Sequence, residues 1–174
     1  MSLFIWSASD SERVSPVNRA QAGDRRYSVP RMADPIRQFV DSFARVGAMD
    51  LQSSGFIDSF YRNFLDSSPL VADKFQNTDM TRQREMLRIS LDHMVYFAID
   101  KEETGEIARV AKAHSSTQAD IPAPLYDLWL DSLLRTVSEF DPEYNDHIDS
   151  AWREALEPAI DYMKRHYEDD ASES

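Results

Sequence analysis

Apolar residues recur three and four positions apart along most of this 174-residue chain. That spacing places them on one face of an α-helix, whereas a half-buried strand alternates apolar and polar residues. No alternating stretch of useful length occurs, and four glycines are few for a fold built from many tight turns. The chain is also long enough to bury one sizeable core. We therefore predict a single all-α domain.

Helix-start signals divide the periodic sequence into about seven helices. Asp34 followed by Pro35 combines an N-cap residue with a first-turn proline, and the same pair recurs at Ser68-Pro69 and Asp141-Pro142. The remaining predicted starts are Ser53 or Ser54, Asn77 or Thr78, about Glu102, and Pro122 with Pro124. Pro158 falls inside the last predicted helix, where a missing N–H and a steric clash predict a kink or a local break.

The predicted domain covers residues 34–167 and has a flank on each side. Residues 1–33 show no sustained periodicity, and we interpret them as a mobile N-terminal extension rather than a secretory signal. Residues 168–174 read Glu-Asp-Asp-Ala-Ser-Glu-Ser, a composition typical of a short acidic disordered tail. The last helix is accordingly predicted to end near Tyr167.

Charge and composition exclude several classes of function. A formal net charge of −12 disfavours binding to nucleic acids and to anionic membrane surfaces. No stretch approaches the roughly 18 apolar residues of a membrane span. Without cysteine the chain has no disulfide, thiolate nucleophile or iron–sulfur cluster. A cytoplasmic protein is the simplest interpretation.

One histidine ends an apolar helical face. Ile107, Val110, Ala111 and His114 lie at i, i+3, i+4 and i+7, so the imidazole is expected to point inward. Such a histidine near a helix C-terminus is usually a core or capping residue. His93 lies ten residues after Gln83, about 80° round the helix from it, and is expected at the pocket edge or on the surface.

A set of residues along the chain resembles a known family. They are Phe60-Tyr61 through Pro69 to Phe75, then Gln83-Arg84-Glu85-Met86-Leu87, and then Lys112-Ala-His114-Ser, followed by Leu125-Tyr126 and Ala151-Trp152. Their order and spacing resemble the globin domain of flavohaemoglobins and of single-domain bacterial haemoglobins, over roughly residues 34–167. The resemblance implies a globin fold of about seven helices around a b-type haem.

The resemblance also assigns residues to the two sides of the haem. It implies that His114 is the iron ligand and that Tyr126 belongs to the hydrogen-bond network behind it. Phe75 is expected to pack flat against the macrocycle, and Leu87 to crowd the bound gas. Four basic residues are candidates to pair with the haem propionates: Lys74, Arg82, Arg84 and Lys112.

Tyr61 and Gln83 are expected to form the distal pair. Bound O2 carries partial negative charge on its outer oxygen, so a phenol and an amide can each donate to it, for roughly 1.5–3 kcal/mol per bond. Tyr61 is predicted to contribute more, because a phenol is the stronger donor. The alternatives are a core tyrosine whose hydroxyl is tied to the backbone and a glutamine turned to solvent.

Two functions remain open at this point. The first is a globin that binds O2, NO or CO and releases O2 slowly, as in oxygen sensing or NO detoxification. Because flavohaemoglobins carry a fused reductase, NO dioxygenation would need a separate reductase here, and sensing would need a signalling partner; a homodimer is compatible with either. The second is a haem-free globin-like signalling or interaction module, against which the joint retention of Tyr61, Phe75, Gln83 and His114 argues.

Overall fold

The computed structural model of the protein describes residues 34–50, 55–100, 105–115 and 117–172. Its helices are α1 (Pro35–Asp50), α2 (Gly55–Ser67), α3 (Pro69–Phe75), α4 (Met80–Asp100), α5 (Gly105–His114), α6 (Ala123–Phe140) and α7 (Asp146–Ser172). Every regular element in these residues is an α-helix. The predicted all-α architecture of about seven helices is therefore confirmed.

Two crossed helix pairs build the core. Helix α1 packs on α7 and α2 packs on α6, while α5 lies along α7 and α3 against α2. In the first pair Phe39 meets Trp152 edge to face, with ring centroids 4.8 Å apart. In the second pair Phe60 contacts Trp129 at 5.8 Å. Large aromatic contacts of this kind dominate the burial energy of a core, and here they fix the helices that carry the candidate site residues.

Several predicted helix starts are confirmed, and one is displaced. The Asp34 carboxylate accepts from the Ile36 N–H at 3.1 Å, and the Ser68 hydroxyl caps α3 as predicted. Asn77 and Thr78, however, do not cap α4. Asp79 does so, by accepting from the N–H groups of the second and third residues after it. A carboxylate also carries the negative charge that the positive end of a helix dipole favours.

The prediction that Asp141 caps the last helix is wrong. Asn145 takes that role, because its side-chain oxygen accepts from the N–H of His147 at 2.9 Å and of Ile148 at 3.3 Å. Asp141 is buried instead, and accepts from the Ser42 hydroxyl at 2.6 Å and from the Arg45 guanidinium at 2.7 and 2.8 Å. Its carboxylate thus joins α1 to the corner between α6 and α7.

Helix α7 is longer and more regular than predicted. It continues without a break through Pro158, whose side chain is exposed, so water can hydrate the carbonyl group that the proline leaves unbonded. It also runs to Ser172, five residues past the predicted end at Tyr167. Glu168 and Ala171 have good helix propensity, which favours this continuation.

Some predictions fall on parts of the chain outside the described residues. These are the N-terminal extension over residues 1–33, the helix starts at Ser53 or Ser54 and near Glu102, and residues 173–174. Among the described helices, none has the length and apolar character needed to cross a bilayer.

Candidate functional site

Helices α2, α3 and α4 bring three of the predicted site residues together. Tyr61 is buried in α2, and its ring lies 6.1 Å from that of Phe75 at the end of α3. The Tyr61 hydroxyl donates to the backbone carbonyl oxygen of Gln83 at 3.0 Å. Burial raises the pKa of Tyr61 well above its ordinary value, so the phenol keeps its proton. The alternative of a hydroxyl tied to the backbone therefore describes this structure.

Gln83 points into the protein and not to solvent. It is 1% exposed, and within the described part of the chain its Oε1 atom is buried without a hydrogen-bond partner. Leu87, one turn further along α4, is also buried. An unsatisfied buried polar atom costs roughly 1–3 kcal/mol, so this amide is a costly group to bury.

His114 is the last residue of α5 and faces inward, as its position on the apolar stripe predicts. It is 3% exposed, and both of its ring nitrogens are buried. Burial lowers the pKa of His114 to about 4. The imidazole is therefore neutral at pH 7, which argues against a charged capping histidine. A neutral imidazole is the form of histidine that can bind a metal ion.

Tyr126 of α6 is the aromatic neighbour of His114. The two ring centroids are 6.0 Å apart, with the planes inclined at 54°. The Tyr126 hydroxyl is buried and, among the described residues, has no hydrogen-bond partner. Burial raises the pKa of Tyr126, so this phenol also stays protonated. Its role in a network behind His114 remains a prediction.

The two groups of residues are connected through the core. Phe60 contacts Tyr61 at 5.1 Å and Trp129 at 5.8 Å, and Trp129 lies one turn after Tyr126 on α6. Helix α4 packs on α1, α2 and α7, whereas α5 packs on α7. The helix that carries Gln83 and the helix that carries His114 therefore have α7 as a common neighbour.

Two of the four basic residues predicted near the rim have acidic partners. Lys74 Nζ lies 3.1 Å from Asp120 Oδ2. Arg84 Nε lies 2.7 Å from Asp58 Oδ1, an ion pair whose N–H is not aligned for a hydrogen bond. Arg82 and Lys112 are exposed. The structure thus gives Lys74 and Arg84 partners other than a propionate.

Sequence reasoning missed two features of this region. The spacing of residues in the sequence does not reveal the hydrogen bond from Tyr61 to the Gln83 carbonyl, because that bond depends on how α2 packs against α4. Asp120 was not singled out, although it has a left-handed backbone with φ of 51°. Aspartate is one of the few residues that tolerate this conformation. The presence of an aspartate in a polar loop was therefore the one feature of the sequence that could have indicated a left-handed residue here.

A buried neutral imidazole on one helix and a buried amide beside a phenol on another define the class of site. The chemistry of these side chains is compatible with a haem held by one histidine, and the buried residues near Gln83 and Tyr61 include the apolar Leu87 and Phe75. A comparison of the whole fold with known proteins also indicates a haemoglobin-like fold.

Among solved structures, the chain is similar to a crystal structure of a protein from Pseudomonas aeruginosa PAO1 that is described as structurally highly homologous to a human hemoglobin. The two share 35% sequence identity with a TM-score of 0.70, over 77% of this chain and 98% of the other. A scan of protein-family models gives no match, and neither does a search of curated proteins. Identity at this level over nearly the whole of the other chain shows a common family. The protein belongs to the globins.

Proposed function

We propose that this globin holds a b-type haem through His114 and binds O2 or another diatomic gas on the opposite side. The observation that carries the proposal is the buried, neutral imidazole of His114 at the end of α5. When bound, the haem would supply an iron that can bind a diatomic gas. The resemblance to flavohaemoglobins in particular remains a prediction.

His114 would hold the iron through one ring nitrogen, and the orientation of its ring would come from the end of α5. The Ile121 N–H donates to the His114 carbonyl oxygen at 3.2 Å, which ties the last turn of the helix to the loop that follows. Tyr126 packs beside the imidazole with a protonated hydroxyl. A polar group behind a ligating histidine typically sets its orientation and basicity, and Tyr126 is the residue we propose for this role.

Tyr61 and Gln83 would hold the gas on the distal side. A phenol has one proton, so Tyr61 can donate to a gas only by giving up its bond to the Gln83 carbonyl. A hydrogen bond to a neutral acceptor such as the Gln83 carbonyl contributes about 0.5–1.5 kcal/mol, and one to a charged acceptor such as bound O2 contributes about 1.5–3 kcal/mol. The change of acceptor therefore stabilises bound O2 by a net of roughly 1–1.5 kcal/mol. Slow O2 release therefore requires the Gln83 amide as well, whose buried position already points into the protein.

Slow O2 release suits oxygen sensing or NO detoxification better than transport. NO dioxygenation consumes electrons, so that activity needs a reductase as its partner, and sensing needs a signalling partner. We propose sensing or detoxification as the role of the pocket. The cytoplasmic location and a homodimer remain predictions from the sequence.

The second candidate is a haem-free globin-like module. Such a protein has no use for buried polar atoms in the pocket, and each one left without a partner costs roughly 1–3 kcal/mol. The Gln83 Oε1 and Tyr126 hydroxyl oxygens are two such atoms in the described residues. Apolar side chains would fill a haem-free core at lower cost, so this observation favours the haem-binding globin.

Absorption spectra of the purified protein distinguish the two candidates. The protein would be titrated with haem, and spectra recorded in the oxidised state, the reduced state and the reduced state under CO. We expect saturation at one haem per chain and a shift of the main haem band when CO is added to the reduced protein. Failure to take up added haem would leave the haem-free module as the function, and a reduced spectrum that CO does not change would contradict gas binding at the haem.

A further inference from the structure

Three side chains from separate elements meet on the loop that follows α5. Lys74, from the last turn of α3, donates from Nζ to the Asp120 carbonyl oxygen at 2.6 Å and to its carboxylate at 3.1 Å. Tyr167 of α7 donates to the other carboxylate oxygen of Asp120 at 2.8 Å. Asp120 therefore connects α3 and α7 through one residue of the loop.

Asp120 is also bonded to the end of α5. Its N–H donates to the Ser115 carbonyl at 2.9 Å, and the next N–H along the chain, from Ile121, donates to the His114 carbonyl. The left-handed backbone at Asp120 turns these N–H groups back onto the helix, which satisfies carbonyl groups that a helix end otherwise leaves free. A force applied to Asp120 thus acts on the last turn of α5, which contains His114.

The same three residues lie next to both sides of the proposed haem pocket. Lys74 directly precedes Phe75, the aromatic residue that contacts Tyr61 on the distal side. On the other side Tyr167 lies close enough to Tyr126 to raise its pKa, a contribution second to burial. Tyr126 in turn contacts His114. Separation of α3 from the end of α5 would break the bonds from Lys74 to Asp120.

We propose that Lys74, Asp120 and Tyr167 form a clasp that joins α3 to the loop after His114, positions the last turn of α5 and slows the loss of haem. The clasp rests on the proposed function, because its role is to retain the haem. None of its residues is expected to touch the iron or the gas. They are positioning residues that act through His114 and Phe75.

The test measures the rate at which haem leaves the full-length protein for an excess of haem-free acceptor globin. Lys74→Met keeps the apolar stem and removes the cation, and we expect haem loss about fivefold faster, the effect of roughly 1 kcal/mol. Lys74→Arg keeps a cation able to reach the same oxygens and should restore most of the wild-type rate. Tyr167→Phe removes one bond of the clasp, so a smaller acceleration of about twofold is expected.

Lys164→Met is the matched control. Lys164 pairs with Asp127 at 2.6 Å, and the exposed fractions of the two side chains, 25% and 65%, are close to the 30% and 57% of Lys74 and Asp120. This pair joins α7 to α6, and neither residue forms a hydrogen bond or an ion pair with the described residues of the loop after His114. We expect Lys164→Met to lose a comparable amount of stability and to release haem at the wild-type rate.

The Asp120→Gly variant distinguishes the effect of the clasp from the effect of backbone strain at Asp120. Glycine adopts a positive φ without steric cost, so this change relieves the backbone while it removes the carboxylate. The clasp predicts faster haem loss from Asp120→Gly despite an unchanged or higher melting temperature. A merely structural role for Asp120 predicts haem loss that follows the melting temperature.

Hydrogen exchange gives a measurement that does not depend on haem. In Lys74→Met, the amide hydrogens of residues 117–121 should exchange faster than in the wild type with and without haem, and in Lys164→Met they should not. Wild-type rates of haem loss in Lys74→Met would overturn the clasp and leave the proposed function intact. A wild-type protein that binds no haem would overturn both.

Discussion

At the scale of single residues, the proton of the Tyr61 hydroxyl would decide how the proposed distal pocket binds a gas. It is donated to the Gln83 carbonyl oxygen in this structure, so the phenol also anchors the backbone of Gln83. Tyr61 can therefore act on a gas directly, by exchanging acceptors, or through the position of Gln83. Either route would stabilise bound O2 more than bound CO, because bound CO carries little charge on its outer atom.

Tyr61→Phe keeps the ring and removes only the hydroxyl. With a net hydrogen-bond gain of about 1–1.5 kcal/mol, we expect O2 to dissociate about tenfold faster. The dissociation of CO should change much less. Rates would be measured by rapid mixing of the gas-bound protein with a competing gas. Equal acceleration for O2 and CO would indicate steric gating and contradict the hydrogen-bond mechanism.

Gln83→Leu is the partner measurement, since it fills the same space with an apolar side chain. We expect it to accelerate O2 release in the same direction. The double variant should show less than the sum of the two effects on a free-energy scale, because Tyr61 and Gln83 belong to one hydrogen-bond network. Strict additivity would show that the two residues act independently.

Residue-level predictions succeed where helical periodicity alone determines the answer. The inward direction of His114 and of Gln83 follows from the apolar residues three and four positions away on the same helix. The acceptor of the Tyr61 hydroxyl could not be predicted, because it depends on the crossing of two helices. The partner of Lys74 was missed for the same reason: Asp120 lies 46 positions later in the chain.

At the scale of helices, the start of α4 sets the position of Gln83. Asp79 accepts from the N–H of Thr81 at 3.0 Å and of Arg82 at 3.2 Å, and its own carbonyl accepts from the Gln83 N–H at 2.9 Å. The sequence analysis named Asn77 or Thr78 as the cap, and Asp79, the next residue, is of an equally favoured type. Composition cannot choose among them, because the choice depends on where the turn after α3 ends.

Asp79→Ala should lower the free energy of unfolding by about 1 kcal/mol, because it leaves first-turn N–H groups without their acceptor. Asn77→Ala is the control, since Asn77 is exposed and outside the cap. It should change the free energy by less than about 0.5 kcal/mol. Urea unfolding of the two variants gives the comparison. A larger loss for Asn77→Ala would place the cap where the sequence analysis had it.

The packing of α1 against the corner between α6 and α7 depends on one buried carboxylate, that of Asp141. Burial alone raises the pKa of Asp141, but hydrogen bonds from Arg45, Ser42 and the Glu143 N–H, with the charge of Arg45, outweigh it and leave the pKa lowered. Trp152 extends the network by donating to the Ser42 hydroxyl at 2.9 Å. A lowered pKa in the folded state means that the ionised carboxylate stabilises the fold.

The stabilisation by Asp141 should therefore depend on pH. It is fully present above the ordinary aspartate pKa of about 3.9, and it is lost as the pH falls through the lower pKa of the folded state. At pH 7 we expect Asp141→Asn to reduce the free energy of unfolding by about 2–3 kcal/mol. The difference from the wild type should shrink below about pH 4, measured by urea unfolding over a pH series.

Asp131→Asn is the control for Asp141→Asn. Asp131 pairs with Arg153 at 3.0 Å, but its side chain is 62% exposed. Loss of this surface pair should change stability by less than about 1 kcal/mol at any pH. A difference between Asp141→Asn and the wild type that stays constant from pH 7 to pH 3 would contradict a stabilising ionised carboxylate.

At the scale of the whole molecule, the fold follows closely from hydrophobic periodicity. The apolar stripes of α1, α2 and α6 include many of the buried core residues, among them Phe39, Phe60 and Trp129. The start of α7 could not be placed in this way. Asp141 and Asn145 are both of residue types that cap helices, and long-range contacts with Ser42 and Arg45 hold the Asp141 carboxylate away from the start of α7.

The central claim is that His114 holds a haem in this fold, and haem binding by two histidine variants tests it most directly. His114→Ala removes the buried imidazole, and His93→Ala removes an exposed one from α4. Each variant and the wild type would be titrated with haem, and their absorption spectra recorded. We predict that His93→Ala matches the wild type in stoichiometry and spectrum, while His114→Ala binds haem weakly or not at all. An unchanged spectrum and full haem occupancy in His114→Ala would contradict the account.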